Sequence, residues 1–368
     1  MPKKISILLP DFRGGGAERL HVHLARYWHA QGFKVNFVLM QGRGELMELL
    51  PSDIGIVELG VDRIRKVILP FARYLRKEKP DIAIAAMWPL TSIAVLSWWL
   101  AAKPGRLYLS DHNQLSISCV QELKTPVWFI GAIMRYTYPY ASGVIAVSKG
   151  VKQDMCKLGG FSDELVRVIY NPTALGISPQ RAPVAIRQQL WGTGFDHHVL
   201  SAGTLKTQKD HATLIRAFAL LPKSLNAKLT ILGEGSLRSE LEALVMQLGL
   251  QERIALPGFA LDPYPWFRTA DLFVLSSRWE GFGNVIVESL ECGLPVVSTD
   301  CPSGPAEILE DGRYGRLVPP QDPLALAKAI AQSLTEPVDR AMLMHRAKDF
   351  TVSVIAEQYL AYMTETQK

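Results

Sequence analysis

The chain has 368 residues, of which 48% are apolar and 20% charged, with a formal net charge of +5. That length supports two domains with separate cores, and the composition excludes a disordered chain. Four scattered cysteines, Cys119, Cys156, Cys292 and Cys301, form no C-x-x-C pair, which indicates neither a zinc site nor a disulfide framework and suits a reducing cytoplasm. Met1 to Lys4 precede an apolar run of only five residues, Ile5 to Leu9, too short for a signal peptide and better read as a buried strand. Pro10 to Gly16 is a glycine-rich loop, and Ala17 to Gln31 reads as a helix because Leu20, Leu24 and Tyr27–Trp28 fall on one face. Strands follow at Val35 to Met40 and Gly55 to Leu59. Arg63 to Lys79 interleaves seven basic residues with Ile64, Val67, Ile68, Leu69, Phe71 and Leu75, a basic amphipathic stretch that Pro70 weakens as one helix. It reads as a solvated face first and as a contact for an anionic membrane surface second. No stretch reaches the ~20 apolar residues of a membrane span.

Asp81 to Ala86 is the next strand, Ser92 to Ala101 an apolar helix, and Arg106 to Ser110 a strand ending in Asp111-His112-Asn113. Ser116 to Ser142 is partly helical, Gly143 to Val147 a strand, Lys149 to Lys157 a helix and Val166 to Ile169 a strand. Leu175 to His198 breaks this rhythm with Pro179, Pro183, Gly192 and Gly194, and marks the interdomain boundary. The plan then restarts: strands at His198 to Ser201, Lys228 to Leu232, Ile254 to Leu256, Leu272 to Leu275, Pro295 to Ser298 and Gly315 to Val318, with helices between and after them to Thr364. The expected organisation is an N-terminal Rossmann-like domain over 1–175, a linker over 176–197, a C-terminal Rossmann-like domain over 198–347 and a last helix within 348–368 that crosses back to the first domain. Two doubly wound halves with parallel sheets face a cleft in this reading, and such clefts bind ligands at strand C-termini.

The stretch Ser276 to Glu288 carries the sharpest signal. Gly281 and Gly283 form a tight loop after a buried strand, Asn284 is placed to cap the helix that follows, and the helix N-terminus makes an anion site. Glu280 stands on its rim and Glu288 about two turns into the helix. Carboxylates beside an anion site make sense if they face hydroxyls carried by that anion, as in a sugar nucleotide.

With these residues in hand, the chain resembles the retaining glycosyltransferases of family GT4, which have the GT-B fold. The resemblance rests on Glu280-Gly-Phe-Gly-Asn…Glu288, the loop Gly14-Gly15-Gly16-Ala17-Glu18, the stretch Ala202 to Asp210, and Cys292 to Asp300 with Ser303-Gly304-Pro305-Ala-Glu307. It implies that Glu280 holds hydroxyls of the transferred sugar and Glu288 the ribose, and that the amides of Phe282, Gly283 and Asn284 meet sugar and diphosphate. It implies too that Lys209 pairs with the diphosphate, that Gly15 and Gly16 let the backbone approach it, and that His112 lies near the reacting sugar. Thr204 stands where the family usually has arginine, so half of the basic clamp is missing, with Lys206 the candidate replacement. The implied function is transfer from a nucleotide sugar, by default a UDP-sugar, to a glycan or lipid-linked acceptor in surface polysaccharide or glycolipid assembly. No cofactor, metal or nucleic acid is expected, because Lys209 and helix N-termini can stabilise the departing diphosphate. Two alternatives stand beside this reading. Thr204 suggests a nucleotide-sugar-binding protein with weak or no activity. A dinucleotide-dependent oxidoreductase is a poorer fit, for Gly14-Gly15-Gly16 is not G-x-G-x-x-G. Cytoplasmic placement follows, with peripheral contact on the inner membrane face resting on the basic stretch.

Overall fold

The computed structural model describes residues 3–13, 15–122, 124–177 and 183–364. Gly14, residues 178–182 of the expected linker and residues 365–368 of the expected last segment lie outside them. The chain divides into two compact units, residues 1–172 with 352–368, and residues 173–351.

In the first unit the strands are β1 (Lys4–Leu9), β2 (Lys34–Leu39), β3 (Gly55–Glu58), β4 (Ile82–Ala86), β5 (Arg106–Asp111), β6 (Gly143–Ala146) and β7 (Val166–Val168). They form one parallel sheet in the order β3-β2-β1-β4-β5-β6-β7. β4 is buried along its whole length, as a strand covered by helices on both faces must be. The helices are α1 (Gly16–Ala30), α2 (Ile68–Glu78), α3 (Leu90–Leu100), α4 (Leu115–Gln121), α5 (Val127–Thr137) and α6 (Lys149–Gly159). Ser148 caps α6 by accepting from the Val151 amide at 3.1 Å.

The basic stretch resolves into a short 3-10 turn (Ile64–Val67) and α2. Val67, Phe71, Ala72 and Leu75 are buried, while Arg73, Arg76 and Lys77 face solvent. Of its apolar positions, Val67, Phe71 and Leu75 go to the core, Ile64 and Ile68 are half-buried and Leu69 is exposed.

The second unit holds α7 (Val184–Trp191), β8 (His197–Ala202), α8 (His211–Ala219), β9 (Ala227–Leu232), α9 (Arg238–Gln247), β10 (Ile254–Gly258), α10 (Tyr264–Phe267) and β11 (Leu272–Leu275). It continues with α11 (Asn284–Glu291), β12 (Val296–Thr299), α12 (Pro305–Ile308), β13 (Arg316–Val318), α13 (Pro323–Thr335) and α14 (Arg340–Ala347). Its parallel sheet runs β10-β9-β8-β11-β12-β13. The connection reverses between β8 and β11, the switch point at which open α/β sheets take ligands.

Residues 184–191, expected in the linker, form α7 because Trp191 is fully buried and its Nε1 donates to Thr269 Oγ1 at 2.8 Å. The second unit begins at Thr173, ahead of the expected boundary, and Gly176 and Ile177 are held by their amides on Glu291 Oε1 at 2.6 and 3.0 Å. The last helix, α15 (Val352–Thr364), belongs to the first unit and packs on α1. Trp28 Nε1 donates to the Ala356 carbonyl at 3.2 Å, and the Trp28 and Tyr359 rings meet at a 60° tilt with centroids 6.0 Å apart.

Candidate functional site

Ser276-Ser277 follow β11 directly, and the loop turns Glu280 inward until only 5% of the residue is exposed. Lys209, from the loop between β8 and α8, donates its Nζ to Glu280 Oε1 at 2.6 Å. Ser277 Oγ donates to the same oxygen at 2.6 Å. Both donors use Oε1, which leaves Oε2 for a ligand. The loops are laced by their main chains: Ser276 Oγ donates to Lys209 O at 2.9 Å, Gln208 Nε2 to Trp279 O at 3.0 Å, and the Arg278 amide to Gln208 O at 2.8 Å. Arg278 Nε also pairs with the buried Asp210 carboxylate at 3.0 Å. A buried charge without a partner costs several kcal/mol, so Lys209 and Glu280 depend on one another for burial. The fold thus joins the lysine assigned to diphosphate with the glutamate assigned to sugar.

Lys206 lies in the same loop between β8 and α8. Its amide donates to Thr204 O at 2.8 Å and its carbonyl accepts from the Lys209 amide at 3.0 Å, so its main chain shapes the turn that delivers Lys209. Thr204 is exposed.

Phe282 is buried, and Gly283 takes φ 102°, a left-handed angle that a side chain disfavours. α11 starts at Asn284 itself, with Gly283 in the cap position and no side-chain cap. Asn284 is therefore the first helical residue rather than the expected cap: the positive φ of Gly283 already turns the chain into the helix. The first turn of a helix points N–H groups outward, which is what an anion uses; here the Ile286 amide already donates to Gly283 O at 2.9 Å. Gly304 packs behind this loop at φ 91°, and a Cβ there would lie 1.8 Å from the Phe282 carbonyl oxygen. Gly304→Ala should therefore destabilise the unit by ~3 kcal/mol. That should appear as a Tm lower by about 6–12 °C in a thermal melt.

Glu288 is half-buried on α11 and close enough to raise the titration of Tyr264 and Cys292 through its charge, behind the larger effect of their burial. Burial, with the charge of Glu280 second, pushes the Cys301 thiol up to about 12, so it stays a neutral part of the wall.

In the first unit Gly15 caps α1 in an extended conformation and Gly16 is its first residue. The Glu18 carboxylate folds back over them; a Cβ on Gly15 would lie 2.1 Å from Glu18 Oε2. Burial raises Glu18 from 4.5 to about 7, only partly offset by its own backbone hydrogen bond. A carboxyl whose folded pKa exceeds its unfolded one weakens the fold once ionised. The cost is absent below pH 4.5, grows as pH rises to 7 and is complete above it. Glu18→Gln should accordingly gain about 1–3 kcal/mol over the parent chain at pH 8 and nothing at pH 4 in paired denaturant melts.

His112 follows β5 and receives or gives a hydrogen bond between Nε2 and Ser110 Oγ at 3.1 Å. Its Nδ1 is buried without a protein partner. Its neighbour is His21 of α1, whose ring meets it edge-on with centroids 5.4 Å apart. His21 Nδ1 faces the Ala17 carbonyl at 2.7 Å and its Nε2 is likewise unpartnered. Burial holds His112 well below its ordinary pKa and His21 at about 4, so both are neutral imidazoles at pH 7. Asp111 does not join them: its oxygens accept from the Trp88 amide at 2.9 Å and from the Tyr138 hydroxyl, which makes it a brace of the core.

Sequence reasoning missed Ser277 and His21. Ser277 had a visible signal, three residues before Glu280 in a buried strand end. His21 had none, since its partner lies 91 positions away.

The pattern of the glycosyl transferases group 1 family matches residues 196–336, and that of glycosyltransferase family 4 matches residues 14–175. An N-acetylgalactosamine-N,N'-diacetylbacillosaminyl-diphospho-undecaprenol 4-alpha-N-acetylgalactosaminyltransferase of Campylobacter jejuni is 35% identical over 230 residues, a match spanning 61% of each chain. The lipopolysaccharide core biosynthesis glycosyltransferase LpsE of Rhizobium meliloti is 28% identical over 359 residues, 95% of each chain. The fold is similar to that of Anabaena Alr3699/HepE, solved with UDP and glucose, at a TM-score of 0.80 and 23% identity over 99% of this chain and 100% of that one.

Proposed function

The chain belongs to the group 1 glycosyltransferases of family 4, and on that premise we propose that it moves a sugar from a UDP-sugar to a lipid-linked glycan acceptor with retention of anomeric configuration. The observation that carries the proposal is the buried Lys209–Glu280 pair, in which Glu280 Oε1 accepts both donors at 2.6 Å and Oε2 accepts from neither. Lys209 supplies positive charge where a diphosphate would leave, and Glu280 supplies an acceptor for sugar hydroxyls. Glu288 takes the ribose, and the first turn of α11, with Phe282, Gly283 and Asn284, takes the phosphates. In the first unit, Gly15 and Gly16 give phosphate a close backbone approach, and neutral His112 offers a hydrogen bond to substrate rather than a charge.

In the reaction, an acceptor hydroxyl oxygen bonds to the anomeric carbon on the face from which the diphosphate departs. The bond from that carbon to the phosphate oxygen breaks, its electrons stay on that oxygen, and the hydroxyl proton goes there too. Donors held in place beforehand stabilise that oxygen without reorganisation. A lipid-linked acceptor is favoured by two relatives, one that acts on a diphospho-undecaprenol-linked sugar and one of lipopolysaccharide core biosynthesis.

UDP at 100 times its dissociation constant should add ~2.7 kcal/mol of stability. A panel of nucleotide sugars in a thermal-shift assay therefore finds the donor, and NMR of the product made on a polyprenyl-diphosphate glycan reads the anomeric configuration. No shift with any nucleotide sugar, or an inverted product, overturns the proposal. EDTA should leave the rate unchanged if the positive charge is the protein's own.

A further inference from the structure

Among the described residues, six large aromatic side chains are exposed, and five of them, Trp99, Trp128, Phe129, Tyr136 and Tyr140, fall in one stretch of the first unit. Trp128 and Tyr136 are 73% and 71% exposed, values that a ring in a water-facing helix rarely keeps without a use. They stand on α5, whose buried side is Ile130, Gly131, Met134 and Thr137 and whose outer side is almost wholly apolar. The surface is continuous. Tyr140 lies one turn beyond Tyr136 and meets Trp99 of α3 edge-on, with ring centroids 4.8 Å apart. Leu96, Leu100 and Val120 add exposed aliphatic area beside it.

Cations rim this surface. Lys103 Nζ lies 5.7 Å from the Trp99 ring, and Arg76 of the basic stretch donates to the Leu100 carbonyl. Arg135 and Lys157 line a groove of about 680 Å³ behind the rings, between α5 and α6, and neither has an ion-pair partner among the described residues. The groove's carboxylate, Asp154, accepts from the Ser116 amide at 3.1 Å. From residue 82 to residue 153 the sequence has six basic residues and two acidic ones, Asp111 and Glu122, of which Asp111 is buried. Protein interfaces deplete lysine, whereas aromatic rings flanked by lysine and arginine match the headgroup layer of an anionic bilayer.

We propose that the outer face of α5, continued by Trp99, Leu100 and Tyr140, docks the protein on an anionic lipid surface, with Lys103, Arg135 and Lys157 meeting lipid phosphates. The rings lie in the headgroup layer and the cations stay at its edge, which differs from the basic stretch alone, whose apolar half is in the core. This goes beyond the donor chemistry but agrees with a lipid-linked acceptor, and it can fail without that chemistry failing.

The test is co-sedimentation of the full chain with phosphatidylcholine vesicles, with and without phosphatidylglycerol. The parent chain should bind only the mixed vesicles. Trp128→Ser with Phe129→Ser and Tyr136→Ser should weaken that partition by about tenfold or more. Arg135→Glu with Lys157→Glu should abolish the preference for phosphatidylglycerol. An unchanged UDP-induced thermal shift shows that the aromatic variant is folded and leaves the donor reading untouched. Equal partition of parent and aromatic variant overturns the proposal, as does a parent chain that binds neither vesicle. Sedimentation velocity without lipid gives a further arm: a dimer that the aromatic variant splits would assign the face to self-association and overturn the membrane reading.

Discussion

Lys209→Met should lower kcat/KM by about 100- to 1,000-fold, the range seen when one preorganised donor to a developing oxyanion is removed. The substitution also strands Glu280, because Lys209 Nζ and Ser277 Oγ are the two donors to its Oε1. Breaking a buried pair from one side costs about 3–5 kcal/mol, so the variant should also melt early. Activity loss and stability loss are separable. Lys209→Met with Glu280→Gln removes both charges and should recover most of the lost stability while the rate stays down. A double variant that recovers rate along with stability would make Lys209 a structural residue. Far-UV circular dichroism and steady-state kinetics on the same samples decide between them.

Glu280→Ala and Glu288→Ala should fail in different ways. Glu280→Ala should cut kcat about 100-fold while leaving free UDP binding as tight as before or tighter, because Lys209 loses its competitor for the diphosphate. Glu288→Ala should raise the donor KM about tenfold with kcat largely kept, the mark of an interaction made equally in ground and transition states. Calorimetric titration with UDP and a donor-saturation curve give both numbers. Equal weakening of UDP by the two changes would end the division between sugar and ribose.

The alternation of apolar strands and amphipathic helices was readable because the central strands are buried on both faces, and a short continuous apolar run such as Ile82–Ala86 between turn signals reads as such a strand. The pair of glutamates framing a glycine loop was readable for the same local reason. What escaped depended on distance. α7 hid among prolines and glycines, since only Trp191 docking near Thr269 holds it in place. α14 has two buried residues, Leu343 and Ala347, with half-buried Met342 and Met344 beside them, so no clear period shows. Asn284 looked like a cap because asparagine usually is one; the left-handed Gly283 before it took that duty. The contact of His21 with His112, and that of Lys209 with Glu280, are tertiary facts that no spacing encodes. The basic stretch was readable as amphipathic, with Arg73, Arg76 and Lys77 on a solvated face, but the packing of its buried side on α3 was not.

The helix α15 brings the chain back into the first unit after the second has been completed. Tyr108 hydroxyl and Arg106 donate to the Met363 carbonyl, each at 3.2 Å, and the Trp28 indole closes on Ala356. On a ribosome, these partners of β5 and α1 are made only after the whole second unit. Domains generally form as units while synthesis proceeds from the N-terminus. Here that order is inverted: the second unit can close first, and the first waits with Trp28 uncovered until Met363 has emerged. For the length of that delay its unfinished core is the part of the nascent chain that a chaperone would see.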